Sequence, residues 1–249
     1  MKALVTGASS GIGRDIAIYL DNLGIELVLV SREKEKLDIL QKELNVKVQK
    51  IITDLSNEDN CNKLYKKVRN DNIDILINCA GFGNLGEFYK TDLEKEIKMI
   101  DLNIKSVHIL TKLFLKDFQK KDSGYILNVS SSAAFQPGPL MSTYYATKTY
   151  VLRLTTAIYE ELRRDKSKVA VSVLCPGPVK TNFNKTANVD FNLRSIDSKY
   201  VAKYAIDKMF NKKLIIIPTL YMKTLVFFSR IIPLKLMLKL VYNIQNKKR

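Results

Sequence analysis

Short apolar runs alternate with amphipathic stretches through most of this 249-residue chain, the pattern of strand and helix in turn. Lys2–Thr6, Glu26–Val30, Val46–Thr53, Asp74–Asn78, the segment YILNVSS, Val169–Leu174 and Leu214–Pro218 read as seven strands. The fourth is apolar almost without a break, as a strand covered on both faces of a parallel sheet is. Between strands, Ile12, Ile16, Leu20 and Leu23 recur at helical spacing. Ser56 to Asn70 reads as an exposed helix capped by Ser56, with Lys66 and Lys67 on its solvated face. Residues 91 to 121 form a helical hairpin or one long bent helix, and Ser142 to Asp165 a helix with Val151, Leu154, Ile158 and Leu162 on its apolar face. A further helix covers 197–211. Such alternation predicts an α/β fold, a doubly wound parallel sheet in a single domain.

Two segments break the alternation. Residues 182–196 are polar and aperiodic, as a substrate lid is, although a plain connector or a disordered stretch reads the same way. From Thr219 to Arg249 the chain is strongly apolar but interrupted by Lys223, Arg230, Lys235 and Lys239, which excludes a membrane-spanning helix. Pro233 divides this extension into two short helices; in the second, Leu234, Met237, Leu238 and Val241 form one stripe and Lys235 and Lys239 another. The division expected is therefore a catalytic domain over 1–218 and an amphipathic extension of the same domain over 219–249. The extension packs as a pocket lid or a subunit interface in the favoured reading, with peripheral membrane contact second.

Charge changes the picture only a little. Forty-one Lys and Arg against 25 Asp and Glu give a net charge of +16, which suits phosphate-rich ligands, nucleic acid or anionic membranes. Lysines spread over helix surfaces account for the same number more simply. With no tryptophan and no nucleic-acid motif, nucleic acid is set aside. Cys61, Cys79 and Cys175 lack metal or redox spacing, and their odd count suits free thiols in a reducing cytoplasm. His108 is the single histidine and has no companion ligands, so it belongs to a surface or an interface and no metal site is expected.

The candidate chemistry sits at the ends of the strand runs. The first runs into Gly7-Ala8-Ser9-Ser10-Gly11-Ile12-Gly13, where glycine turns and a helix N-terminus form a pyrophosphate cradle. The second ends at Ser31-Arg32, where NAD-preferring folds carry an acid; a guanidinium there accommodates a 2′-phosphate and favours NADP(H). Glu33 reads as the opening of the next helix. Tyr144 and Lys148 stand four residues apart on one helical face. A nearby ammonium biases a phenol of ordinary pKa about 10 toward proton exchange nearer neutrality. Ser131 precedes Tyr144 by thirteen residues at a strand end. A second pair at the same spacing, Tyr204 and Lys208, has Phe191 in the serine's place and reads as a helix surface.

Together, TGASSGIG, NCAG, Ser131 and the Tyr144–Lys148 pair resemble the classical short-chain dehydrogenase/reductase family over about three-quarters of the chain. The G-x3-G-x-G spacing is that family's variant. The resemblance implies strand order 3-2-1-4-5-6-7 and a tetrad of Tyr144 as general acid or base, Lys148, Ser131 and Asn103. In it, Lys148 lowers the tyrosine pKa and holds the nicotinamide ribose, Ser131 bonds the substrate oxygen, and Asn103 keeps a relay water. It also implies cofactor contacts from Asp54 and Leu55 at the adenine, from Asn78, Ala80 and Gly81 in the fourth strand's loop, and from Pro176, Gly177, Val179 and Thr181 at the carboxamide. Cys79 replaces the family's second asparagine, which puts that amide's hydrogen bonds in doubt. The activity implied is interconversion of a carbonyl and an alcohol, by a homo-oligomer paired through residues 106–121 and 142–165; with Arg32 it is NADP(H)-dependent, and the apolar content of the 182–196 segment and the extension points to a lipophilic substrate. A nucleotide-binding scaffold that has lost turnover is the rival, weakened because the tyrosine, lysine and serine are all present.

Overall fold

In the computed structural model, which describes residues 1–181 and 195–247, the apolar runs form β1 Lys2–Thr6, β2 Glu26–Ser31, β3 Val48–Ile52, β4 Ile75–Asn78, β5 Tyr125–Val129, β6 Ala170–Leu174 and β7 Ile215–Ile216. All neighbours run parallel, in the order β3-β2-β1-β4-β5-β6-β7. The helices are α1 Gly11–Asn22, α2 Lys34–Glu43, α3 Glu58–Val68, α4 Leu93–Ile100, α5 Ser106–Lys120, α6 Ser142–Arg164, α7 Ser198–Phe210, α8 Leu220–Ser229 and α9 Leu234–Asn246. Most of the 182–196 segment lies outside the described residues; its end, at Ile196, bridges to Val179.

Strand alternation sorts the core into two layers. Ala3, Val5, Leu27, Leu29, Ile75 and Ile77 face α1, α2 and α7, whereas Leu4, Val28, Val30, Leu76 and Ile126 face α3 and α5. Each such side chain contributes roughly 1.5–3 kcal/mol when removed from water, which is why the strand runs tolerate so few polar residues. Two asparagines among them are paired through their side chains. Asn78 and Asn128 are register partners on β4 and β5, and Asn78 Nδ2 donates to Asn128 Oδ1 at 2.8 Å and to Thr111 Oγ1 at 3.1 Å. Asn128 Nδ2 donates in turn to Thr155 Oγ1 of α6 at 2.9 Å. This network fixes α5 and α6 to the sheet centre.

The structure departs from expectation at three places. Asn57, not Ser56, caps α3, its Oδ1 accepting from the Asp59 and Asn60 amides at 2.8 and 3.4 Å. Ser56 instead donates its hydroxyl to Asp54 at 2.8 Å. The long helical stretch is one continuous run, the second of the two alternatives, but α4 passes into α5 through a π-turn over Asp101–Lys105 that contains Asn103. In α9 the inward stripe is Met237, Val241 and Gln245, while Leu238 is half-buried and Leu234 lies exposed at the helix's first residue.

Both helices of the extension lean on the domain. Met222 of α8 lies against Gly177, where an added Cβ would stand 2.8 Å from its sulfur. Met237 and Val241 of α9 join Met99, Met141, Tyr144 and Tyr145 in one apolar cluster. Gln245, also buried, donates to the Tyr145 hydroxyl.

The asparagine network generates a stability prediction. Asn128→Ala removes the acceptor shared by the Asn78 amide and the Thr111 hydroxyl and the donor to Thr155 in the core, and should cost about 2 kcal/mol or more. Urea unfolding should show a lower midpoint with an unchanged slope. An unchanged midpoint would show that the network contributes nothing.

Candidate active site

The cradle at the end of β1 is built by close backbone approach. Gly7 (φ +67°) and Gly11 (φ +54°) adopt the left-handed conformation that glycine accepts without strain. A Cβ on Gly7 would stand 2.8 Å from Ala80 Cα, and one on Gly13 would stand 2.4 Å from the Gly7 carbonyl oxygen. Thr6 Oγ1 accepts from the Cys79 and Ala80 amides at 3.0 and 3.1 Å and so joins this loop to the one after β4. Helix α1 begins at Gly11 with no side-chain cap from Ser10 and no acid in its first turn. The amides of an uncapped helix N-terminus are of the kind an anionic pyrophosphate would need. Thr181 closes the other side, with its methyl 3.0 Å from a Cβ built on Gly11. The Ile12 side chain packs on the core, so only its backbone faces this loop.

The end of β2 presents both signs of charge. Exposed Arg32 lies 3.4 Å from the Asp54 carboxylate. Burial alone raises the Asp54 pKa, but the Ser56 amide and hydroxyl and the Arg32 guanidinium outweigh it and bring it below the usual value. Glu33 occupies the N-cap position of α2 without capping it. Its carboxylate turns back to accept from Ser9 Oγ at 2.8 Å and from Lys36. Sequence reasoning read it as a helix start and missed this acid beside the glycine loop.

The strand ends of β4 and β5 and the start of α6 bring the other candidates together. Lys148 is buried, and its Nζ donates to the Val129 carbonyl at 3.0 Å. That nitrogen also lies 5.8 Å from the centre of the Tyr144 ring. Gly81 packs against both Asn103 Oδ1 and the Lys148 amine; an added Cβ would reach them at 2.9 and 3.4 Å. Asn103 spends its amide on structure, donating to Phe82 O at 2.9 Å and Thr147 Oγ1 at 3.1 Å while accepting from Phe82 N at 3.1 Å. Ser131 accepts from the Ala133 amide at 3.1 Å and hydrogen-bonds the Tyr144 phenol. Ser132 N donates to Pro176 O at 2.8 Å, which ties this loop to the one after β6.

Electrostatically, burial dominates here. It pushes the Tyr144 phenol up to about 12, with the Ser131 hydrogen bond acting against it. The expected shift of this phenol toward neutrality is therefore not met in the chain alone: desolvation sets the direction, and the Lys148 amine donates to Val129. Burial also lowers Lys148 to about 8, opposed by the Cys79 and Cys175 thiols. Those thiols are themselves pushed up to about 12, chiefly by burial.

The Asn78 side chain is turned into the core network and the Leu55 side chain is buried among apolar neighbours. Two features were missed: Tyr145 beside Tyr144 at 6.1 Å between ring centres, and Gln245 bonded to it. The i, i+4, i+8 recurrence of Met237, Val241 and Gln245 was the available signal. Tyr204 and Lys208 lie half-buried on α7 with the amine 5.5 Å from the ring, and the Tyr204 hydroxyl accepts from Lys223 Nζ of α8 at 3.4 Å. His108 pairs with the Tyr150 hydroxyl at 2.7 Å across α5 and α6, at the surface.

The sequence pattern of the short chain dehydrogenase family matches residues 1–191. An uncharacterised oxidoreductase of Staphylococcus epidermidis is 34% identical over 194 residues, covering 77% of this chain and 83% of that protein. The human very-long-chain 3-oxoacyl-CoA reductase is 37% identical over 191 residues, covering 74% of this chain and 61% of that protein. Among solved structures, a short-chain dehydrogenase from Sphingobium yanoikuyae in complex with NADPH superposes with a TM-score of 0.82 at 31% identity, covering 88% of each chain.

The buried amine makes a testable demand on stability. Lys148 falls from its usual 10.5 to about 8 on folding, so between those values the unfolded chain binds more protons and stability rises with pH. The cost of burying the ammonium, roughly 3 kcal/mol, is fully present below the lower value and gone above the upper one. Relative to Lys148→Met, the unliganded wild type should be less stable at neutral pH, and the gap should close as pH rises through that window. A pH-independent gap in denaturation midpoints would show that the amine is not desolvated.

Proposed function

This chain belongs to the short-chain dehydrogenase family, and from that premise we propose that it is an NADP(H)-dependent oxidoreductase interconverting a carbonyl and an alcohol on a lipophilic substrate. The observation that carries the reading is the hydrogen-bonded Ser131–Tyr144 pair with the Lys148 amine beside it at the end of a glycine cradle. When bound, the nicotinamide supplies or accepts the hydride. The chain's own residues handle the proton and the charge. Tyr144, held neutral by burial, gives its proton to the oxygen of a carbonyl undergoing reduction and takes one from an alcohol undergoing oxidation. Ser131 bonds the same oxygen as charge develops on it. The Lys148 ammonium favours the phenolate left after proton transfer. Asn103 pins the Phe82 backbone and so holds Gly81 against the lysine. Its backbone, in the π-turn, is the part left to hold a relay water.

Gly7, Ser9, Ser10, Gly11 and Gly13 would hold the pyrophosphate and Thr181 the carboxamide end. Arg32 would take a 2′-phosphate; the NADPH complex of the Sphingobium relative supports this choice. Glu33 beside Ser9 opposes it electrostatically. The apolar walls around Tyr144, from Met99, Met141, Phe82, Met237 and Val241, favour a lipophilic carbonyl, as does the name of the human acyl-CoA reductase.

Two measurements test the proposal. Tyr144→Phe should reduce NADPH oxidation at least about a hundredfold, across carbonyls of graded chain length, while NADPH binding stays nearly unchanged. Retention of a substantial fraction of the wild-type rate would remove Tyr144 as the acid. Arg32→Ala should weaken NADPH by about tenfold to a hundredfold and NADH far less, whereas Glu33→Gln should not weaken NADPH. Equal losses for both cofactors in Arg32→Ala would place the phosphate elsewhere.

A further inference from the structure

The inner sides of α8 and α9 are spent on the domain, and their outer sides are not. Val226 of α8 is buried, while Leu220, Tyr221, Phe227 and Phe228 on the same helix are 57–75% exposed. Ile231 in the turn is 64% exposed, and Leu236, Leu240 and Ile244 of α9 form a second exposed row at i, i+4, i+8. Scattered exposed apolar residues are ordinary, but a run of this density in 25 residues of helix and turn is a contact surface.

Charge identifies what the surface fits. The last 31 residues hold seven of the chain's 41 basic residues and none of its 25 acids. Lys223, Arg230, Lys235, Lys239 and Lys247 are all exposed among the apolar side chains. A two-fold contact between copies would set this patch against itself, with like charges facing and no acid in the patch to pair with them. Among the described residues no helix is long and apolar enough to cross a membrane. A face rich in Phe, Leu and Tyr and studded with Lys and Arg is instead the composition that lies in the plane of a bilayer interface. We infer that the outer faces of α8 and α9 dock this protein on the surface of an anionic lipid bilayer, with the phenylalanines and leucines in the headgroup region and the lysines on lipid phosphates and carboxylates.

The test uses the full chain and flotation with phosphatidylcholine vesicles, with and without phosphatidylglycerol. The protein should float with the anionic vesicles and not with the neutral ones, and salt should weaken the association. Lys235→Gln and Lys239→Gln should each lower the partition coefficient about fivefold. Phe227→Ser combined with Phe228→Ser should abolish flotation while circular dichroism and particle size in solution stay unchanged. Absence of flotation with anionic vesicles overturns the inference, as does flotation that none of these substitutions alters. A lipid-free dimer that the phenylalanine variant converts to monomer, with no vesicle binding, would assign the face to a second copy instead.

Discussion

One buried ammonium sets the terms for everything around the site. Lys148 is removed from water between two strand ends, and a charge so placed persists only where the backbone offers it an acceptor. The Val129 carbonyl does so at 3.0 Å, which requires β5 to end where it does. Ser130 Oγ then donates to the Lys148 carbonyl at 2.7 Å and binds the helix to the same strand end. Gly81 is obligatory for the same reason, since a side chain there would occupy the space of the amine and of Asn103. The amine thus fixes the relative heights of β4, β5 and α6, and the phenol one helical turn away inherits its position from that arrangement.

The two loops that face each other across the sheet depend on contacts of comparable tightness. Thr6 accepts two amides from the β4 loop with a single hydroxyl oxygen, and Gly7 approaches Ala80 too closely for any other residue. Because β1 lies between β2 and β4, these contacts fall where the sheet's connections diverge to opposite sides, the crevice in which open α/β sheets receive ligands. Tight backbone packing and an open cradle are two outcomes of the same glycines.

Much of this was legible in the chain, for identifiable reasons. Strands buried on both faces write themselves as continuous apolar runs, so most of the sheet was readable, whereas the strand order came from the family resemblance. Tyr144, Lys148 and Ser131 were readable because four-residue spacing is a local property of a helix and Ser131 marks a strand end. What stayed hidden depends on partners distant in sequence. Asn103 was named through the family resemblance, but its hold on the Phe82 backbone shows only once the two are brought together. Ser56 and Asn57 are both good caps by type, and only geometry selects the amide oxygen. The Tyr144 phenol illustrates the limit of spacing arguments, because the proximity of an ammonium is local whereas desolvation sums over every neighbour. Gln245 was missed because a polar residue ending an apolar stripe reads as the stripe's edge until a hydroxyl is found for it.

That last contact also bears on the order of events in the life of the molecule. Gln245 and Tyr145 are one hundred residues apart in sequence. A chain synthesised from its N-terminus can assemble the sheet and the cradle well before this glutamine exists. Until then the Tyr145 hydroxyl faces water, and the cluster around Tyr144 lacks the Met237 and Val241 that complete its wall. The apolar enclosure of the site is thus deferred until the extension has followed the sheet into place, and a chain interrupted before Met237 retains the catalytic side chains in a wet and unfinished pocket.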